Sequence, residues 1–189
     1  MPLRMNSFWL AFSKFWFKIT GWRLASGIPA HIRQGVMIAA PHTSNWDFIY
    51  SRAAFFLMRR DVRLTIKKEW TEIPILGKLV LSLGGLPIDR SKNNSTVETM
   101  IELFKQNPEL IILVTPEGTR KYQPRWRKGF YHAAVGAGVP ILLGYLDYEK
   151  KEAGVGPAVY PTGNYEADLE TIQSFYRTKK GRYPEQGVR

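Results

Sequence analysis

Cysteine is absent from this 189-residue chain. A disulfide scaffold, a thiolate zinc site, an iron–sulfur cluster and a cysteine nucleophile are excluded with it. Acidic residues are missing from the first part of the chain: before Asp47 the only charges are Arg4, Lys14, Lys18, Arg23 and Arg33. Long apolar runs are missing too. The longest, residues 53–58, is far short of the ~18 residues that span a bilayer, so no transmembrane helix is expected. Lys14 and Lys18 interrupt the N-terminal apolar stretch and no small-residue cleavage site follows. No signal peptide is expected, and the default compartment is cytoplasmic.

What remains is a globular balance, 44% apolar and 23% charged, which excludes disordered and low-complexity classes. The length suits one domain with one sizeable core. Basic residues number 27 against 16 acidic, a net charge of +11. Such an excess favours polyanions: nucleic acid, an anionic membrane, or a phosphorylated or acidic substrate. Beyond the N-terminus it gathers at Arg120, Lys121, Arg125, Arg127 and Lys128, and at Arg177, Lys179, Lys180 and Arg182.

Residues 5–20 read as an amphipathic helix ended by Gly21. Phe8, Trp9, Phe12, Phe15, Trp16 and Ile19 share one face and Lys14 and Lys18 the other. Aromatics with lysines and no acid suit a helix lying in a membrane interface, although such a helix can also pack on its own core. We therefore separate residues 1–21, a membrane-interface helix, from a domain over 22–189. Strands are expected at 35–40, 62–67, 86–89, 110–114, 139–146 and 158–160. Helices are expected at 48–59, 75–83, from Ser95 to Asn107, at 129–138 and at 166–176. Alternating elements with strands that are apolar throughout predict a single α/β domain, a mostly parallel sheet covered on both faces.

Three polar constellations follow apolar strands, where ligands collect in open α/β sheets. The first is His42 with Asp47, a general base and a carboxylate able to orient it. On one continuous helix a spacing of five separates two side chains by about 140°. The pair meets only if His42 lies in a loop and Asp47 in the first helical turn. Ser44-Asn-Trp-Asp47 is also an S-x-x-D capping box, a purely structural use of the same aspartate. The second is Gly84-Gly85-Leu-Pro-Ile-Asp89-Arg90, whose arginine suits an anion. The third is Thr115-Pro-Glu117-Gly118-Thr119-Arg120, where Arg120 offers a planar fork for phosphate and Glu117 could aim an arginine.

Together, and in this order, the three resemble the glycerolipid acyltransferase family, the group that includes bacterial 1-acylglycerol-3-phosphate acyltransferases. His42-x4-Asp47 matches the family's H-x4-D motif. Gly85-Leu-Pro-Ile-Asp89-Arg90 is similar to its second motif, Pro116-Glu117-Gly118-Thr119-Arg120 matches P-E-G-T-R, and Val139-Pro140-Ile141 is similar to the fourth. The resemblance covers about residues 22–146. It implies a glycerol-3-phosphate acyltransferase-like fold and acyl transfer from acyl-CoA or acyl carrier protein to a hydroxyl of a lysophosphatidic acid-like acceptor. It implies His42 as base, Asp47 as its orienting partner, and Arg90, Glu117, Gly118, Thr119 and Arg120 around the acceptor's phosphate. No metal and no cofactor is implied beyond the acyl donor, and no acyl-enzyme is required. The expected place is the cytoplasmic face of a membrane, as a peripheral or monotopic protein on an anionic surface.

Thr115 stands where the family often has an aromatic residue, and Lys121 where a small residue is common. These departures leave the acceptor open among lysophosphatidic acid, another lysophospholipid and a lyso-aminolipid. From another class, a nucleic-acid-binding module draws on the net charge and on Tyr122 and Trp126 interleaved among the basic residues 120–128. No RNA-binding signature, zinc spacing or helix-turn-helix pattern accompanies it, and no nucleic-acid partner is expected. A catalytically idle membrane-binding protein on the same fold is disfavoured by the joint presence of His42, Asp47, Glu117 and Arg120. His31 and His132 are expected to be surface or packing residues.

Overall fold

The computed structural model describes residues 7–67, 69–88 and 96–189. In chain order they form α1 (Ser7–Thr20), β1 (Arg23–Leu24), β2 (Gln34–Ala39), α2 (Trp46–Met58), β3 (Val62–Lys67), α3 (Glu69–Glu72), α4 (Leu76–Ser82), β4 (Gly85–Ile88), α5 (Thr96–Gln106), β5 (Leu110–Val114), α6 (Gly129–Ala137), β6 (Ile141–Asp147), β7 (Glu152–Val159) and α7 (Tyr165–Arg177). Ser95, expected to open the capping box of α5, and Asp89, expected to end β4, lie outside the described residues.

The strands make one sheet in the order β1-β7-β6-β2-β5-β3-β4. Every pairing is parallel except the β6–β7 hairpin. The all-apolar strands predicted burial on both faces, and that is how β2, β5 and β6 sit. Val36, Ile38, Ile112, Ile141 and Leu143 face a layer that includes Phe104, Phe130, Ala134, Ile172 and Tyr176. The alternate residues Met37, Ile111, Leu113 and Leu142 face Phe55, Ile28 and Ile32. The register pairs Ile38 with both Val114 and Leu143, so the carboxyl ends of β2, β5 and β6 lie side by side. Whatever follows them is gathered at one edge.

Most of the expected elements are present, with α2 beginning two residues early. β1 and α3 were not expected, and of β7 only the end was. Its sequence Glu-Ala-Gly-Val-Gly-Pro-Ala-Val is poor in strand formers. A Cβ on Gly154 would lie 2.5 Å from the Ser26 hydroxyl and 2.7 Å from that of Tyr145, so close packing explains the glycine.

One side of α1 packs on the domain and the other lies at the surface. Phe17 and Ser13 are buried, Trp9 stacks on Phe56 at 5.8 Å and Trp16 on Trp46 at 6.4 Å, so one side packs on α2. Phe8, Phe12, Phe15 and Ile19 remain exposed, with Lys14 and Lys18 also at the surface. Phe17, not among the aromatics expected to act together, is the most deeply buried aromatic of the helix. Among the described residues no helix is long and apolar enough to cross a membrane.

Candidate active site

His42 sits in the loop after β2 and Asp47 in the first turn of α2, as their meeting requires. His42 Nδ1 lies 3.0 Å from Asp47 Oδ2. The same oxygen accepts the backbone N–H groups of Thr43 and Ser44, each at 3.0 Å. The other oxygen, Oδ1, accepts the Tyr148 hydroxyl at 2.7 Å. A carboxylate has only acceptors to offer, so Nδ1 carries the hydrogen of this contact, which makes Nε2 the acceptor of the neutral ring. The capping box is half formed: Asp47 reaches back to the Ser44 N–H, while the Ser44 hydroxyl accepts from Trp46 N at 3.2 Å. Capping and orienting are thus one arrangement, because the loop that Asp47 closes is the loop that carries His42.

Glu117, expected at the phosphate, is buried, and its Oε2 accepts the backbone N–H of His42 at 2.7 Å. The carboxylate therefore faces the histidine loop. Burial pushes its carboxyl up to about 7, against the opposing effects of the His42 N–H and imidazole. The unfolded chain then loses this proton first as pH rises from 4.5. Stability from this group is complete below 4.5 and lost as pH passes about 7. Thermal melts of Glu117→Gln should show a flatter stability profile across that window, by on the order of 1–3 kcal/mol. An unchanged profile would remove Glu117 from this role.

Gly118 holds φ +66, and a Cβ there would lie 2.7 Å from Arg127 Nε. A side chain at 118 would be strained and would push the Arg127 guanidinium off the turn. Thr119 is half-buried, with its hydroxyl 3.4 Å from the Lys121 amide. Arg120 is exposed and donates to Asn45 Oδ1, bringing a guanidinium to the start of α2. Arg90 lies outside the described residues. The structure thus gathers His42, Asp47, Glu117 and Arg120 at one edge of the sheet.

Two contributors come from beyond these motifs. Tyr148 follows β6 as His42 follows β2, and that positional signal was available in the sequence. Arg182 belongs to the segment after α7, which runs back over the site. Its guanidinium lies 5.7 Å from the Trp46 ring, Tyr183 N donates to Thr43 Oγ1 at 3.3 Å, and a Cβ on Gly181 would lie 2.8 Å from that oxygen. No local pattern in residues 178–189 announces this. An apolar cleft between the sheet and α2 reaches the dyad, with Met37, Phe55, Met58, Leu113 and Leu146 among its walls.

The aromatic interleaving of the basic loop does not form an exposed stripe. Trp126 is buried against Tyr176, and Lys128 lies over Tyr165. His31 and His132 are exposed.

A model of the Acyltransferase family matches residues 24–142. The chain is 33% identical over 109 residues to the 1-acyl-sn-glycerol-3-phosphate acyltransferase of Salmonella typhimurium, covering 54% of this chain and 43% of that protein. It is 32% identical over 109 residues to the enzyme of the same name from Escherichia coli, with the same coverage. The chain thus spans under half the length of these curated relatives. Its fold is similar to the crystal structure of the 1-acyl-sn-glycerophosphate (LPA) acyltransferase PlsC from Thermotoga maritima. The TM-score is 0.61 at 18% identity, over 88% of this chain and 74% of that one.

Proposed function

The chain belongs to the Acyltransferase family, and from that premise we propose that it moves a fatty acyl group from an acyl thioester to a hydroxyl of a lysophosphatidic acid-like acceptor, in phospholipid synthesis. The observation that carries this reading is the dyad: Nδ1 of His42 bound to Asp47 Oδ2, at the meeting point of three parallel strand ends. The acceptor follows its relatives, which are 1-acyl-sn-glycerol-3-phosphate acyltransferases.

In this reading Nε2 of His42 takes the proton of the acceptor hydroxyl as the oxygen attacks the thioester carbonyl. Asp47 stabilises the imidazolium that forms. The tetrahedral intermediate collapses by breaking its C–S bond, and the proton returns from Nε2 to the leaving thiolate. One ester forms, one thioester is lost, and the side chains end as they began. The chain has no cysteine to hold the acyl group, and direct transfer needs none. The donor is acyl-CoA or an acyl carrier protein thioester, with no further cofactor and no metal. The cleft beside the dyad offers its acyl chain apolar walls.

Arg120, with Gly118 and Thr119 in the same turn, serves the acceptor's phosphate. Arg90 joins them on the strength of its motif, and Glu117 acts by holding the His42 loop. The exposed aromatics of α1 with Lys14 and Lys18 favour a monotopic attachment to the anionic, cytoplasmic face of a membrane.

The test is thiol release from acyl-CoA and from acyl carrier protein thioester, with vesicles holding lysophosphatidic acid, a lyso-aminolipid or monoacylglycerol. Release with phosphatidic acid as product is expected. No release with any combination rejects the reading. Within this assay, Arg120→Lys should raise the KM for lysophosphatidic acid by roughly 10- to 100-fold, because an ammonium cannot reproduce the fork. Its KM for monoacylglycerol should barely change. Equal losses on both acceptors assign Arg120 to the scaffold.

A further inference from the structure

We infer that Tyr148 is a positioning residue for the reaction proposed above: its hydroxyl fixes the second oxygen of Asp47 and thereby sets how that carboxylate holds His42. Tyr148 lies beyond the residues matched by the family, at 24–142, and belongs to none of the motifs. Its O–H donates to Asp47 Oδ1 at 2.7 Å, while Oδ2 serves His42 Nδ1 and two backbone amides. With Oδ1 held, the carboxylate cannot rotate away from the imidazole.

Tyr148 is itself held from three sides. Its backbone N–H donates to the Lys180 carbonyl at 2.8 Å, through the segment that crosses the site. Its ring meets Trp22 edge-on at 4.9 Å and Tyr50 edge-on at 5.9 Å, and Trp22 and Tyr50 stack on each other at 4.2 Å. Phe17 of α1 packs against both of these rings, so the cage continues into the interfacial helix. Burial and the bond to Asp47 keep the phenol protonated far above its ordinary range, so it remains a donor. The ionisable neighbours of this group are His42 and Glu117 beside Asp47, and Arg182 and Tyr50 beside Tyr148.

Two contributions compete in a deletion of the hydroxyl. A carboxylate relieved of one donor is a stronger acceptor and holds the imidazolium more tightly. It also loses the one bond that fixes Oδ1, which leaves its plane less tightly set against the imidazole, and a misaligned base is a poorer catalyst. Tyr148→Phe keeps the ring and its cage and should fold, with a melt lowered by the loss of one buried hydrogen bond to a carboxylate. We expect kcat to fall about tenfold, in line with losses of residues that orient a functional group, with KM for both substrates unchanged. The acidic limb of the kcat profile should move to higher pH. On top of Asp47→Asn the same change should cost nothing further, since it acts through Asp47. Parental kcat and pH limb in Tyr148→Phe, or a loss that multiplies with that of Asp47→Asn, overturns the assignment. Replacement of Tyr148 by 3-fluorotyrosine, nearly isosteric and a stronger donor, should move the acidic limb the opposite way. If it leaves the limb in place, the assignment also fails.

A readout without turnover separates this role from the reaction. The His42 imidazole resonance, identified by its loss in His42→Gln, should titrate at higher pH in Tyr148→Phe while those of His31 and His132 stay. If no donor and acceptor pair reacts with the parent protein yet the His42 resonance moves, the proposed reaction falls and the positioning role stands. If the parent turns over and the resonance does not move, the positioning role falls alone.

Discussion

Purified His42→Ala is expected to fold like the parent and to release thiol from acyl donor at least about 10²-fold more slowly, the loss that follows removal of a general base. The side chain is partly exposed and its ring contributes one hydrogen bond, so the fold has little to lose. Asp47→Asn should lose rate as well, and its melting should also suffer. Asp47 takes four donors, three on Oδ2 and one on Oδ1. An asparagine has a single acceptor oxygen, and its NH2 would point at one of these donors. One orphaned buried donor costs about 1–3 kcal/mol. The two variants therefore separate chemistry from scaffold: His42→Ala loses rate at parental stability, Asp47→Asn loses both. Parental turnover by a folded His42→Ala protein would end the proposed mechanism.

The second large effect concerns the outer face of α1. Deleting the whole helix is a poor test, because Phe17, Trp9 and Trp16 pack it on α2 and their loss would bare the core. Phe8, Phe15 and Ile19 are 63, 60 and 57% exposed, so their replacement by serine leaves that packing in place. Each apolar side chain taken into the interface contributes on the order of 1–2 kcal/mol. The triple variant should therefore bind anionic vesicles at least about 10²-fold more weakly in a sedimentation assay, with an unchanged melt. Lys14 and Lys18 add a part that salt screens, each about 1 kcal/mol at an anionic surface. Vesicle binding equal to the parent's would free α1 of this role and leave it as a packing helix alone.

Most of the candidate site was legible in the sequence because its parts are local. An apolar strand followed by Pro41-His42, with Asp47 five residues on, allows a loop histidine to meet a first-turn aspartate, and the structure brings them to 3.0 Å. Gly118, four residues past the end of β5, holds φ +66, a conformation glycine adopts without strain. The α/β class followed from strands apolar on both faces. What the sequence left open was direction. Glu117 could have aimed an arginine; burial and the His42 amide turn it to the dyad loop instead. How the aromatic face of α1 divides between core and surface could not be read, because only the contact with α2 separates Trp9 and Trp16 from Phe8, Phe12 and Phe15.

Tyr148 and Arg182 illustrate what only the tertiary structure decided. Tyr148 stands 101 residues beyond Asp47 and Arg182 in the final segment of the chain; the place of Tyr148 after a strand can be read locally, but its partner cannot. Tyr148 reaches Asp47 because β6 pairs directly with β2, which sets the loop after one strand beside the loop after the other. Arg182 reaches Trp46 because the chain leaving α7 crosses that same edge. Periodicity and turn chemistry specify single elements. Which strand lies next to which is settled by how the apolar faces of all of them are buried together, and that choice placed Tyr148 against Asp47.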